Sequence, residues 1–345
     1  MKSEANSMNQ YARMIMCVLA TILATAASVA ETAEAPGATT DVNAVKDITA
    51  IERELAQQPS MKNLIQYYAH NAVVLDAYAP GYYRGSKEIY AGFEQQFEQS
   101  AGFTGQIADL SIVSHGELAC AALQVRFHFK MKSGQAGDLT FRQLDAYRRT
   151  GGKWLIVQQH ISQPVDPKSG MGIADARMPV RGPQKWIAKS LAEPAVDIAQ
   201  ARKEIVRWLA TGVLSPDTDT LMKYYGPGDD VIVYDVQYPP GEFRGLAEVR
   251  AGFAPVMNFT NPKVKILALD IDTDGAFAVQ IDVQDITLTR KDGTQRNFML
   301  RQSDCMRRVG GKWYSMLEEI SMPMDPKTGK AVSDPASFTA RTARR

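Results

Sequence analysis

A chain of 345 residues is long for one compact core and comfortable for two. With 45% hydrophobic residues, 22% charged residues and a net charge of +1, the composition excludes a disordered chain. It also excludes a nucleic-acid binder that works through a strong basic field.

The first thirty residues stand apart from the rest. Lys2 and Arg13 flank a polar start, and MIMCVLATILATAASVA follows, an apolar run that ends in small residues. This is the pattern of a secretory leader over residues 1–30, with Ser28-Val29-Ala30 as the small-x-small cleavage site. The run falls short of the ~20 apolar residues that span a bilayer. The expectation is a periplasmic or secreted protein with no stable membrane span after cleavage.

Val45, Ile48, Ile51 and Leu55 then fall on one helical face. A short helix capped by Ser60 places Leu64, Ile65 and Tyr68 inward. A β-run ending in Asp76, a Pro/Gly turn and a third helix carrying Ile89, Phe93 and Phe97 come next. Only strands follow, at Ile107–Val113, Leu118–Lys130, Leu139–Arg149 and Trp154–Ser162, punctuated by glycine turns.

The whole order is then written again. RQLDAYRRTGGKW (Arg142 to Trp154) recurs as RQSDCMRRVGGKW (Arg301 to Trp313), and ISQPVDPKSG recurs as ISMPMDPKTG at the same spacing. VVLDAYAPGYYRG (Val73 to Gly85) recurs as IVYDVQYPPGEFRG with one insertion, and Ala201, Ile205 and Leu209 repeat the first helical face. A period this long means duplicated domains rather than a solenoid. The expected boundaries are 41–170 and 197–331, joined by an irregular linker over 171–196 with a short helix around Trp186–Leu191, and followed by a mobile tail over 332–345. Helices first and an antiparallel sheet afterwards is an α+β layout.

Paired acids are the leading chemical candidates. Asp76 and Asp235 end equivalent strands, and Asp145 and Asp304 sit inside the repeated phrase. At an apolar pocket such pairs act as acid and base or anchor a ligand, and in solvent they cap turns and pair with arginine. Arg142 and Arg301 suit either a ligand carboxylate or a neighbouring Asp. His160 is a possible proton shuttle, although its counterpart is Glu319. If Thr150-Gly151-Gly152 closes a three-residue hairpin, Asp145 pairs with Val157. Gln143, Asp145, Val157, Gln159 and Ile161 then share one face, and Arg142, Arg148, Trp154, His160 and Ser162 share the other. Gln302, Glu318 and Tyr234 are the corresponding ligand candidates of the second copy. Tyr78, Tyr82, Tyr83, Tyr238 and Phe243 are aromatic candidates on the loops after the first strands. Cys120 and Cys305 occupy non-equivalent places and read as two lone buried thiols rather than a disulfide framework. No metal-ligand spacing, phosphate loop or serine-nucleophile motif is present, so no cofactor is expected.

The order of elements, with VVLDAYAPGYYRG, RQLDAYRRTGGKW, WLIVQQHISQP and their counterparts, resembles the SnoaL-like and ketosteroid-isomerase-like domains of the NTF2-like superfamily. The last piece also looks like the association domain of calcium/calmodulin-dependent kinases. The resemblance implies a cone, a curved sheet wrapped around three helices with a pocket at the wide end. In the isomerases a strand-end carboxylate moves a proton, while a protonated carboxyl and a helical Tyr hold the substrate oxygen. Asp76 and Asp235 match the first position, and Asp145 and Asp304 the second. The Tyr is missing: the first helix offers Glu52 and Arg53, or Arg207 and Trp208. Losing one such donor costs ~2.7–4 kcal/mol of transition-state stabilisation, which argues against a standard steroid isomerase. Three readings follow. The first is a binder of a small, largely apolar organic molecule. The second is a proton-transfer enzyme of isomerase, cyclase or dehydratase type. The third is a scaffold whose cones are filled by side chains. Fusion would supply an intrachain pseudo-dimer, with further homo-oligomerisation open.

Overall fold

The computed structural model describes residues 41–57, 61–186, 194–212, 215, 217–237, 239, 241–255, 257, 259–290 and 292–338. The leader expected over residues 1–30, the Ser60 cap, Tyr238 and most of the helix expected around Trp186–Leu191 lie outside the described residues.

Lobe 1 runs α1 (Val42–Leu55), α2 (Met61–Leu64), β1 (Tyr68–Leu75), β2 (Tyr82–Arg84), α3 (Ser86–Phe97), β3 (Ser100–His115), β4 (Leu118–Met131), β5 (Ala136–Thr150) and β6 (Lys153–Ser162). Lobe 2 repeats the series as α4 (Ile198–Gly212), α5 (Thr218–Leu221), β7 (Ile232–Tyr234), β8 (Glu242–Arg244), α6 (Gly245–Phe253), β9 (Phe259–Thr273), β10 (Phe277–Arg290), β11 (Gln295–Val309) and β12 (Lys312–Ser321). Each lobe has one six-stranded sheet, in the orders β2-β1-β6-β5-β4-β3 and β8-β7-β12-β11-β10-β9. The α+β reading and the duplication both hold. Among the described residues no helix is long and apolar enough to cross a membrane.

Helix α1 begins at Asp41, whose side chain accepts from the Asn43 N–H at 2.9 Å. Its inward stripe is Ala44, Ile48, Glu52 and Leu55, with Val45 and Ile51 at the flanks. A carboxyl therefore sits where the apolar period calls for a hydrophobe. The corresponding stripe of α4, Ala201, Ile205, Leu209 and Gly212, has leucine at that level.

Strand β4 is buried without alternation from Leu118 to Val125. One face of the sheet meets the helices and the other meets the second lobe, so both sets of side chains lose water. Val113, Leu118, Cys120, Ala122, Leu144 and Ala146 of lobe 1 pack with Ile232, Tyr234, Phe277, Val279, Cys305, Met316 and Leu317 of lobe 2. This seam also carries charge: Arg148 binds Asp272 at 2.5 and 2.7 Å, Arg84 binds Asp270 at 3.0 Å, and Arg244 binds Asp109 at 2.9 Å.

The closing hairpin differs from the sequence expectation. Thr150 pairs with Lys153 around Gly151 and Gly152, at φ 57° and 79°, a two-residue turn that needs left-handed residues. The residue released from the loop becomes a bulge at Val157, so Asp145 pairs with Gln159. Gln143, Asp145, Gln159 and Ile161 still share the inner face. Val157 moves to the seam, and Trp154 moves into the lobe 1 core.

Val165 and Met324, each just ahead of the repeated DPKSG and DPKTG segments, strap the opposite lobe. Val165 N–H donates to Val236 O at 2.8 Å, while Ala79 N–H donates to Met324 O at 2.9 Å and Met324 N–H to Ala77 O at 2.8 Å. Part of the expected linker lies along lobe 1, with Arg181 N–H on Asp109 at 2.8 Å and the Trp186 indole on Ile112 O at 2.6 Å. Of the tail expected over 332–345, residues 339–345 lie outside the described residues; nearer the lobe, Met299 N–H donates to Ser333 O at 2.6 Å and Phe338 meets the edge of Tyr82.

Candidate functional site

The structure sorts the candidate residues into three places. The first is a cavity of about 80 Å³ in lobe 1. Leu55, Leu64, Phe93, Phe97, Leu123, Val125, Phe127, Phe141 and Ile161 give it an apolar wall, and Glu52, Asp76, Gln143, Gln159 and Tyr68 give it polar points.

Asp76 ends β1 with its carboxyl in this cavity, accepting from the Gln96 amide at 2.6 Å. Burial pushes it up to about 6 against the pull of that amide, of Arg301 and of two backbone N–H groups. Asp145 lies one layer behind the wall. Gln159 donates to its Oδ2 at 3.0 Å and Gln143 at 3.4 Å, while Tyr68 Oη–H donates to Gln159 Oε1 at 2.6 Å. Asp145 Oδ1 has no N–H donor and meets the carboxyl of Glu52. Tyr147 Oη–H donates to Glu52 Oε1 at 2.7 Å. Burial raises Glu52 to about 7, and burial with the neighbouring Glu52 charge holds Asp145 well above the carboxylate range. Two adjoining carboxyls in a dry site cannot both ionise near neutral pH, so they share a proton.

The first helix thus presents Glu52 rather than a phenol to the cavity, and Tyr147 of β5 donates to it from behind. Neither Glu52 nor Tyr147 was among the sequence candidates. An acid on the apolar stripe of α1 was the signal for Glu52; Tyr147 read only as one residue of a strand.

The second place is the interior of lobe 2, where the same positions carry different chemistry. Asp304 accepts from Gln280 at 2.6 Å, Gln302 at 2.8 Å and Ser315 at 2.5 Å, yet burial still pushes it up to about 6. Tyr225 Oη–H donates to Glu318, as Tyr68 does to Gln159. The ladders show the substitution of the wall: Ala121 faces Asp145 and Leu123 faces Gln143, whereas Gln280 faces Asp304 and Asp282 faces Gln302. Gln284 bonds both Asp282 and Gln302, so side chains fill hydrogen-bonding positions that are apolar in lobe 1.

The third place is the seam. His160 points away from the cavity: its Nδ1 meets Ser303 Oγ at 2.9 Å and its Nε2 meets Ser321 Oγ at 2.7 Å. Burial, then Arg301 and Arg142, hold it well below the usual imidazole range, so it is a neutral bridge between lobes rather than a shuttle at the cavity. Arg142 and Arg301 are buried there too. Arg301 donates to Asp76 O at 2.5 Å and to Ser321 Oγ at 3.0 Å; Arg142 donates to Asp235 O, to Gly241 O at 3.0 Å and to Ser162 Oγ at 2.8 Å. Each arginine thus clamps the Asp loop of the other lobe. Glu319 is raised to about 7 by burial against the attraction of Arg142. Tyr234 packs in the seam, with the Arg142 guanidinium 5.9 Å from its ring centre.

Asp235 caps its own turn, accepting from Val236 N–H at 2.8 Å. Tyr78 donates to Gln163 Oε1 at 3.2 Å and meets the edge of Phe141, and Tyr83 packs on Phe93. Both are cover for the core and do not line the cavity. Cys120 and Cys305 are both buried and both free, as expected, and both belong to the apolar cluster of the seam. Among the described residues no group of three or more His, Cys, Asp or Glu side chains is placed to hold a metal ion.

Solved structures similar to this chain include an NTF2-like protein of unknown function from Pseudomonas putida KT2440, at 22% identity and TM-score 0.37, covering 40% of this chain and 99% of its own. An NTF2-like superfamily protein from Salmonella enterica serovar Typhimurium LT2 aligns at 18% identity and TM-score 0.33, covering 37% and 95%. The association domain of C. elegans CaMKII aligns at 16% identity and TM-score 0.31, covering 35% and 95%. No curated protein matches the sequence. The SnoaL-like domain model matches twice, at residues 49–166 and 202–325, one match on each lobe. With most of its length accounted for by those two matches, the chain belongs to the SnoaL-like domain family, carried in duplicate.

Proposed function

We propose that lobe 1 binds a small, largely apolar organic molecule and transfers a proton on it, while lobe 2 serves as its covalently attached partner. One observation carries this reading: an apolar cavity is lined by two separate carboxyls, Asp76 and Glu52, the second backed by Asp145, and each is shifted toward neutrality. Asp76, at about 6, is largely ionised at pH 7 and suits a general base. Glu52, at about 7, lines the cavity with a proton to give and suits a general acid, with Asp145 and Tyr147 holding it in place. A base and an acid on one substrate fit isomerisation, cyclisation or dehydration. The cavity has room for roughly five to eight water-sized groups, which bounds the occupant below drug size.

Lobe 2 has leucine at the level of Glu52, and its interior polar groups are spent on one another, which favours the filled-scaffold reading for that lobe. Export is part of the proposal and rests on the leader-like N-terminus.

Native mass spectrometry of the protein purified from its own host identifies the molecule that travels with it. Asp76→Asn is then expected to keep binding and lose conversion. Full conversion by Asp76→Asn overturns the acid–base reading, and an empty lobe 1 that takes up no small organic molecule overturns the binding reading.

A further inference from the structure

The loop that carries the lobe 1 base is held from lobe 2. Asp76 lines the cavity at the end of β1, and its N–H donates to Gly81 O at 2.8 Å, closing the loop between them. Arg301 of β11 ties both ends of that loop. Its Nη1 donates to Asp76 O at 2.5 Å and reaches Gly81 O at 3.4 Å, while its Nε donates to Ser321 Oγ at 3.0 Å. The approach is close enough to require glycine: a Cβ at Gly81, where φ is +56°, would stand 2.7 Å from Asp76 O and 3.0 Å from Arg301 Nη1. Met324 pins the middle of the loop, accepting from Ala79 N–H at 2.9 Å and donating to Ala77 O at 2.8 Å. Behind Arg301, Ser321 Oγ lies 2.7 Å from His160 Nε2, so a lobe 1 imidazole backs the lobe 2 arginine.

We infer that Arg301 is a positioning residue for Asp76, fixing the base of lobe 1 from the other lobe; the inference rests on the proton-transfer reading of that cavity. Arg301 is about 2% exposed and does not line the cavity, so it is not placed to touch a substrate. It acts in two ways. Its backbone bonds set the direction in which β1 delivers the Asp76 side chain, and Gln96 of α3 then fixes Oδ2 at 2.6 Å. Its charge behind the loop also favours the ionised carboxyl, against the burial that opposes it. The remaining acid on that cavity wall, Glu52 of α1, carries the opposite role. The mirror contact supplies the contrast. Arg142 donates to Asp235 O and to Gly241 O, but Asp235 has no part in the cavity. A clamp that the duplication made twice thus bears on proton transfer in one direction only. Joining the lobes in one chain keeps Arg301 at hand for every Asp76.

The test compares Arg301→Met with Arg142→Met in the full chain. Each variant removes a buried seam guanidinium that bonds the opposite Asp loop, so a general loosening of the seam is common to both. Carboxyl-carbon NMR, with Asp76→Asn for assignment, is expected to show the Asp76 midpoint moving up from about 6 by roughly one pH unit in Arg301→Met and staying in place in Arg142→Met. In hydrogen exchange, the peptide carrying Asp76–Gly81 is expected to exchange roughly tenfold faster or more in Arg301→Met, and the peptide carrying Asp235 to do so in Arg142→Met. Arg301→Lys keeps a charge without the fork and is expected to hold the Asp76 midpoint near that of the wild type. With Arg142→Lys it carries the exchange comparison if the methionine variants do not fold. An Asp76 midpoint unmoved in Arg301→Met, or two loops that loosen together in either variant, overturns the inference. Both readouts are taken without substrate, so their failure is distinct from failure of the acid–base reading, which conversion by Asp76→Asn decides.

Discussion

Glu52→Gln tests the carboxyl pair without knowledge of any substrate. Glutamine keeps the volume, still accepts from Tyr147 Oη–H, and offers an N–H to Asp145 Oδ1, but it cannot titrate. Glu52 is about 2% exposed and shifts from 4.5 to about 7 on folding, so the folded state binds its proton more tightly than the unfolded state does. The stabilisation is therefore fully present below about pH 4.5, declines as pH rises through 7, and is absent above. At ~1.4 kcal/mol per pH unit, the wild-type protein loses about 3 kcal/mol from this group across that window. Urea unfolding followed by tryptophan fluorescence at several pH values between 4.5 and 8.5 measures the decline. In Glu52→Gln the decline is expected to shrink by about 3 kcal/mol, with the variant the more stable protein at pH 8.5 and near parity at pH 4.5. Parallel wild-type and variant curves would refute the claim that Glu52 carries a proton in the folded site.

The same sign applies to three other buried acids. Asp76 and Asp304 rise to about 6 and Glu319 to about 7, so urea midpoints are expected to be higher near pH 5 than near pH 8. His160, held low by burial and two arginines, is expected to show no imidazole titration by NMR between pH 6 and 8. Arg301→Met removes the donor to Asp76 O and Ser321 and is expected to cost about 3–5 kcal/mol of stability by urea unfolding. It is also expected to raise the Asp76 carboxyl further, read by carboxyl-carbon NMR, because Arg301 holds it down. Asp304→Asn sets an amide against three donors and is expected to cost about 1–3 kcal/mol, leaving ligand uptake by lobe 1 unchanged.

The duplication, the element order and the inner-face set Gln143, Asp145, Gln159 and Ile161 were legible in the chain itself. Side-chain periodicity and turn chemistry are local properties, and writing them twice removes ambiguity. The sequence also placed Asp76 and Asp145 in one lobe. It could not tell the cavity from the seam. His160, Arg142 and Arg301 look like site residues because they are polar and lie near the aspartates. They face outward, and only the docking of a second sheet buries them. Trp154 and Val157 changed sides because a bulge absorbed a residue that the loop would otherwise have held. The meeting of Glu52 with Tyr147 and Asp145 depends on elements far apart in the chain. Local patterns determine which face a residue occupies, and tertiary packing alone decides what that face meets and therefore which carboxyls keep their protons.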